Sequence, residues 1–131
     1  MTGHPMSRDA FGSWLDAYGH AWETKDSQAF ARLFAEDATY QVTPFEEPML
    51  GRTAILGYVS EATRTQQQIR FEHEVLGAEE DRGIAHWQVS FTGIPSETRV
   101  ELDGILVTYF DAGGLCAVFR EWWHERERES D

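Results

Sequence analysis

The chain opens on a helical period and closes on a strand period. Phe11, Trp14, Leu15, Tyr18 and Trp22 fall at i, i+3, i+4, i+7 and i+11, one apolar stripe of a helix that runs to about Thr24. Ser7 is placed to cap its start, and Asp9 in the first turn complements the helix dipole. Gly19 inside the stripe costs about 1 kcal/mol against alanine, which points to a close approach by another element. Lys25 and Asp26 interrupt the period. Asp26 can cap a second, short helix with Phe30, Leu33 and Phe34 on its apolar face, ending at 35–37. From residue 38 the period becomes two. A first strand is predicted over 38–43, with Tyr40 and Val42 on one face and Thr39 and Gln41 on the other.

Pro44 and Pro48 bracket a loop that cannot continue a sheet. Gly51 precedes a third helix, about 52–64, that buries Ile55, Tyr58, Val59 and Ala62; Thr65 and three glutamines follow as a polar exit. Four more strands are predicted over 69–79, 84–92, 98–111 and 115–124. In the first of these Phe71, His73 and Val75 share a face. In the next, Ala85, Trp87, Val89 and Phe91 oppose His86, Gln88 and Ser90. In the third, Val100, Leu102, Leu106 and Phe110 share a face. Its other face begins polar, at Glu101 and Asp103, and turns apolar at Ile105, Val107 and Tyr109. The last strand is apolar or aromatic on both faces; Val118, Arg120 and Trp122 are read as facing inward, with Phe119, Glu121 and Trp123 outward. Residues 1–6 and 125–131 read as loose ends. The order α-α-β-α-β-β-β-β marks one α+β domain over 1–131, with helices on one face of a mainly antiparallel sheet and strand 38–43 at or near its edge. The expected core is Trp14, Leu15, Phe30, Leu33, Phe34, Ile55, Val89, Leu102 and Leu106.

Composition narrows the function classes. Five Trp and eight Phe among 131 residues are a heavy load, suited to a large core or to the walls of an apolar cavity. A net charge of −12 lacks the basic footprint of a nucleic-acid binder and opposes an anionic membrane surface. Cys116 is alone, so no internal disulfide forms, which fits a reducing compartment. No stretch approaches the roughly 18 apolar residues of a membrane span, and residues 1–8 lack the apolar run of a signal peptide. The expectation is a soluble protein of the cytoplasm. His20, His86 and His124 share no metal-ligand spacing, and Gly113-Gly114 is a hairpin turn, so neither a metal nor a cofactor is expected.

Several stretches carry a resemblance: Tyr18 through Asp26, Phe34-Ala35-Glu36-Asp37-Ala38-Thr39, Pro44-Phe45, Pro48 and Gly51, then Leu102-Asp103-Gly104-Ile105 with Phe110, and the closing Arg120-Glu121-Trp122-Trp123. Together they resemble the nuclear transport factor 2-like superfamily, in its SnoaL-like branch. The resemblance implies a cone-shaped roll, a curved sheet wrapped around three helices and enclosing a cavity, and a homodimer formed through the outer face of the sheet. It does not imply one reaction. Ketosteroid isomerase, a distant relative in this resemblance, uses a helix-one tyrosine, a strand-one aspartate base and a protonated aspartic acid. Their positions fall on Tyr18, on Val42 (or Thr43), and on Leu106. Valine cannot abstract a proton and leucine cannot donate a hydrogen bond, so the isomerase chemistry does not carry over. Of the polar set of the epoxide hydrolases of this fold, Arg120 alone has a match. Tyr18, Tyr40 and His73 partly echo the fold's dehydratases.

These observations point to a small-molecule enzyme or binding protein with an apolar cavity and acid–base chemistry of the isomerase, dehydratase, cyclase or hydrolase type, acting on a small hydrophobic substrate. The alternative is a non-catalytic dimerisation or interaction domain whose cone is filled by its own side chains. The candidate catalytic residues are Tyr18 to polarise an oxygen, His73 to move a proton and Arg120 to hold an anionic group. Asp37, at the helix–strand corner, reads as a backbone cap. Trp22, Tyr40, Val42, Tyr58, Trp87, Phe91, Leu106 and Trp122 are expected to line the cavity, with Phe45 at its mouth. The outer face that would pair two copies is expected to present Ile105, Val107, Tyr109, Phe119 and Trp123, because helices cover only one face and the other would expose a large apolar patch.

Overall fold

The computed structural model of the protein describes residues 6–128. Its elements are α1 (Arg8–Glu23), α2 (Ser27–Ala31), β1 (Phe34–Gln41), β2 (Met49–Leu50), α3 (Arg52–Thr63), β3 (Gln66–Glu79), β4 (Arg82–Gly93), β5 (Arg99–Phe110) and β6 (Cys116–Arg128). The two expected caps form. Ser7 Oγ accepts from the Ala10 amide and Asp26 Oδ1 from the Ala29 amide, each at 3.0 Å. Six strands make one sheet in the order β2-β1-β6-β5-β4-β3. Every pair is antiparallel except β1 with β6, which run parallel. The sheet is therefore mixed. After α3 the chain crosses to the far edge, then returns strand by strand until β6 lies beside β1.

The result is the expected α+β roll, with the sheet curved around the helices. Irregularities in β3 and at the β5–β6 pairing interrupt the ladder, and such bulges bend strands. α1 packs on the edge strand β3 and ties down its backbone. Arg8 donates to the Val75 carbonyl at 3.0 Å, and Glu23 accepts from the Phe71 amide at 2.8 Å. Gly19 admits Phe71, whose Cγ would lie 3.0 Å from a β-carbon there. The core is strongly aromatic: Phe11, Tyr18, Phe30, Phe34, Tyr40 and Phe119 are all buried. Leu33 and Leu102, expected in it, are half-buried against it.

The structure corrects several boundaries. α2 stops at Ala31, and Phe34 already pairs with Cys116 across to β6. A five-residue helix gains little by extending, whereas each sheet residue gains ladder bonds and burial. The loop after β1 ends in the two-residue strand β2, which pairs Met49 with Tyr40. The glutamines read as a polar exit begin β3, where Gln66 and Gln67 face Gly93 and Thr92. β6 continues to Arg128, because Glu101 on β5 holds both Arg126, at 3.1 Å, and Arg128, at 2.7 Å. At the other end the Met6 amide donates to the Glu80 carbonyl. Of the two expected loose ends, 6 and 125–128 are thus in hydrogen-bonded structure, and 1–5 and 129–131 lie outside the described residues.

The correction with the largest consequence concerns the faces of β6. Phe110 pairs with Cys116, but Tyr109 pairs with Val118, so Ala117 is an extra residue in the ladder. Beyond it Thr108 faces Phe119, Leu106 faces Glu121 and Gly104 faces Trp123. Residues paired directly across a sheet share a face. Phe119, Glu121 and Trp123 therefore point inward with Leu106, while Arg120 and Trp122 point outward. One inserted residue reverses every side chain that follows it. Phe119 and Trp123 accordingly leave the expected outer surface, while Ile105, Val107 and Tyr109 remain on it.

Candidate functional site

Between the helices and the wide end of the sheet lies a cavity of about 180 Å³. The aromatic core fills the rest of the cone, and three of its members, Tyr18, Phe30 and Tyr40, form part of the cavity wall. α1 contributes Tyr18 and Trp22, α2 Phe30, β1 Tyr40, α3 Tyr58 with Thr63, β3 Gln66, β4 Trp87 and Phe91, β5 Leu102, and β6 Glu121, Trp123 and Glu125. Eight of the lining side chains are aromatic.

Most polar groups on this wall are already partnered. The hydroxyls of Tyr18 and Tyr40 share a hydrogen bond of 3.1 Å. Trp22 Nε1 donates to Gln66 Oε1 at 2.8 Å, and Trp123 Nε1 donates to the Val42 carbonyl at 2.9 Å. Thr63 Oγ1 donates back to the Val59 carbonyl at 2.8 Å. Two groups differ. Trp87 Nε1 is buried with no acceptor. Glu121 is 6 % exposed, and no described residue forms an ion pair or hydrogen bond with its carboxyl. Burial raises its pKa well above the usual carboxylate range, which favours the neutral acid. Burial, and secondarily the negative charge Glu121 would carry, push Tyr18 and Tyr40 well above ordinary phenols and Tyr58 up to about 12. The cavity thus holds one protonated carboxylic acid among neutral phenols.

The residues expected at the site divide. Tyr18, Trp22, Tyr40, Tyr58, Trp87 and Phe91 share the cavity wall. His73 does not reach it. Its ring lies under α1, with Nε2 2.8 Å from Asp16 Oδ1 and Nδ1 buried without a partner. The cavity opens at the Gln66 end of β3, whereas α1 covers the stretch around His73. Arg120 is exposed on the outer face, its guanidinium 4.8 Å from the Trp122 ring centroid, and Trp122 is exposed with it. Leu106 is fully buried beside Glu121 in the ladder but behind the wall. Val42 offers its carbonyl to Trp123 rather than its side chain to the cavity. Phe45 is 97 % exposed on the loop after β1 and lies off the wall. The residue that sequence reasoning missed is Glu121. Its signal was present, since one of two adjacent charges, Arg120 or Glu121, had to face inward.

A larger hollow, about 410 Å³, lies on the outer face of the sheet. Its charged groups neutralise one another. Asp103 accepts from His86 Nε2 and Gln88 Nε2, both at 2.8 Å, and these bonds hold its carboxyl below the usual range. Arg126 pairs with Glu101. This hollow is a solvated, largely paired surface, whereas the aromatic cavity sets a buried carboxyl among apolar walls, which makes it the stronger site despite its smaller size. Among the described residues no cluster of His, Cys, Asp or Glu could hold a metal, and no helix is long and apolar enough to cross a membrane.

A profile of the family described as SnoaL-like domain matches residues 15–119. No curated protein matches the chain by sequence. Among solved structures, it is similar to SalBIII, an epoxide hydrolase/cyclase-like enzyme with a role in pyran ring formation in the polyether salinomycin. The TM-score is 0.78 at 19% identity, covering 91% of this chain and 94% of that one. A candidate polyketide cyclase of Pseudomonas putida superposes with a TM-score of 0.73 at 18% identity, covering 85% and 89% of the two chains. A candidate isomerase of Bacillus subtilis gives 0.76 at 18% identity, covering 88% and 87%. At these identities the likeness establishes the fold.

Proposed function

We propose that this chain, which belongs to the SnoaL-like domain family of the nuclear transport factor 2-like superfamily, is an acid–base enzyme acting on a small apolar molecule, with Glu121 as its proton-carrying group. One observation carries the reading: a buried carboxylic acid without a protein partner lines an otherwise aromatic cavity. A group so placed costs stability unless water or a ligand in the cavity hydrogen-bonds it. In its neutral form, which burial favours, Glu121 gives its proton to a substrate oxygen. It takes one back from a neighbouring carbon, or from an attacking hydroxyl or water, and returns to its starting state. That cycle serves isomerisation, dehydration, cyclisation or epoxide opening alike. The structural likeness to an epoxide hydrolase/cyclase-like enzyme supports chemistry of this kind. The three phenols on the wall are held neutral, so they orient an oxygen without competing for the proton.

The test is a panel of small ketones, ethers and epoxides followed by the fluorescence of Trp22, Trp87 and Trp123, which line the cavity. We expect saturable binding, and turnover that falls by roughly 10²-fold or more in Glu121→Gln. Turnover unchanged in that variant would remove Glu121 from the mechanism. A panel without a saturable ligand would remove the cavity reading itself.

A homodimer through the outer sheet face belongs to the same proposal. Ile105 pairs with Trp122, Tyr109 with Val118 and Ile84 with Val107 on that face, forming an apolar stripe. On a chain of net charge −12, both signs flank the stripe, with Arg120 and Arg126 among Glu74, Glu101 and Asp103. A two-fold axis lets such a mixed surface meet itself without like-charge repulsion. Sedimentation is expected to give a species of twice the 15.0 kDa chain mass, and Ile105→Glu to halve it. A wild-type protein sedimenting at the chain mass would contradict the dimer.

A further inference from the structure

The cavity wall has a charge pattern that the acid–base reading does not use. It contains two carboxyl groups, Glu121 inside and Glu125 at the exposed rim, and no lysine, arginine or histidine. Arg120, the cation the sequence places there, lies on the outer face. A carboxylate, phosphate or sulfate entering the cavity would meet no counter-charge and would leave water to do so. A cation would meet the opposite: the carboxyl of a residue only 6 % exposed, with no competing partner among the described residues, set among aromatic side chains. Aromatic rings with a carboxylate at their base are the chemistry that recognises ammonium ions, because ring quadrupoles attract positive charge most strongly where water is excluded. The excess of acidic residues over the whole chain adds a long-range attraction of the same sign.

We propose that the cavity takes a compact amine, one aromatic or alicyclic ring with a short arm, bound as its ammonium ion against the carboxylate of Glu121. The size follows from the volume of about 180 Å³, below the roughly 300–1,000 Å³ of sites for drug-sized ligands. The inference rests on the assignment of Glu121 as the working group; with the amine bound, Glu121 is the carboxylate, the form that takes a proton in that cycle rather than the form that gives one.

Proton linkage gives the proposal a signature. Burial favours the protonated form of Glu121 in the free protein, and the group must ionise to pair with an ammonium ion, so binding below its folded pKa expels a proton. The titratable groups around its carboxyl are Tyr18 of α1, Tyr40 of β1, Tyr58 of α3 and Glu125 of β6; β4 and β5 bring Trp87, Phe91 and Leu102, which do not titrate. The phenols stay protonated throughout the range, which leaves Glu121 as the source of the proton.

The experiment titrates the full chain with three near-isosteric probes, phenethylamine, phenethyl alcohol and hydrocinnamate, by tryptophan fluorescence and by calorimetry in buffers of different ionisation enthalpy. The expected result is amine binding at least about tenfold tighter than the alcohol, no binding of the acid, and release of close to one proton. Affinity for the amine should rise by up to about tenfold per pH unit below the free-state pKa of Glu121, and fall at least about tenfold in Glu121→Gln. Proton release is read on the wild-type protein, so it stands even if the variant misfolds. Equal binding of amine and alcohol, both weakened by Glu121→Gln, would overturn the amine and leave Glu121 as the working group. Amine binding that is indifferent to pH and to Glu121→Gln would overturn the amine at this site. If none of the probes binds, the amine is likewise overturned, and the role of Glu121 is decided by the ketone and epoxide panel alone.

Discussion

Glu121→Leu is expected to make the protein more stable, by about 1–3 kcal/mol at acid pH, the cost of a buried polar group left without a partner, and by more at neutral pH. The two side chains are close in volume, so leucine fills the space without a large void, and its neighbours Tyr18, Tyr40, Phe119 and Leu106 are apolar or mutually satisfied. The gain depends on pH in a definite direction. Burial raises the Glu121 pKa in the folded chain above its unfolded value. Between those two values the folded state binds a proton that the unfolded state has lost. Wild-type stability therefore falls as pH rises through that window, by up to about 1.4 kcal/mol per unit, and levels off above the folded pKa. The leucine variant lacks this slope. The stability gap is smallest below about pH 4, where only the neutral acid is desolvated, and widens toward neutrality. Denaturant unfolding of both proteins at acid and neutral pH measures it. A stabilising substitution that abolishes ligand binding is the mark of a residue kept for function. If the leucine variant is instead less stable at neutral pH, Glu121 has a partner in the fold and its claim as a working group falls.

The sequence made the helices legible because their faces differ. In α1 one stripe is aromatic and the opposite side carries Asp9, Asp16, His20 and Glu23, so period and phase are both defined. The same holds for β4 and for the first half of β5, where polar and apolar residues alternate and fix the phase of the whole strand, and the observed inward sets are those expected. β6 is different. Residues 115–123 are apolar on both faces, so alternation gives a period without a phase. Counting across the hairpin from Phe110 puts Arg120 opposite Leu106 and hence inside; the extra residue at Ala117 puts Glu121 there instead. A bulge of one residue has no signature in composition, yet it decided which charge faces the cavity. His73 fails for another reason. Its face was read correctly, but β3 is long, and α1 covers the part that holds His73, while the cavity opens at Gln66. Strand alternation tells which side of a sheet a residue is on. It does not tell what lies above it along the strand.

Phe119→Ala is expected to cost about 3–5 kcal/mol, and the neighbouring Arg120→Ala no more than about 0.5 kcal/mol. The two changes test the phase of β6 directly, because adjacent strand residues must face opposite ways. Phe119 is fully buried. Its ring stacks on Tyr40 at a centroid distance of 4.4 Å and an interplanar angle of 5°, and it packs against Tyr18 at 5.6 Å and Phe34 at 5.8 Å. Truncation would leave a void among these three rings, each held by further aromatic contacts, so collapse into it is limited and the cost lies toward the upper end. Arg120 is exposed, and its contact with Trp122 is a solvent-facing cation–π pair of small worth. The loss at Phe119 would also reach the site. Tyr40 rests on Phe119 and holds the hydroxyl of Tyr18, so both walls beside Glu121 should loosen and ligand affinity fall together with stability. Chemical denaturation of the two single variants separates the alternatives. A mild effect at Phe119 with a severe one at Arg120 would mean that β6 presents its other face to the core, which would turn Glu121 outward and remove it from the cavity.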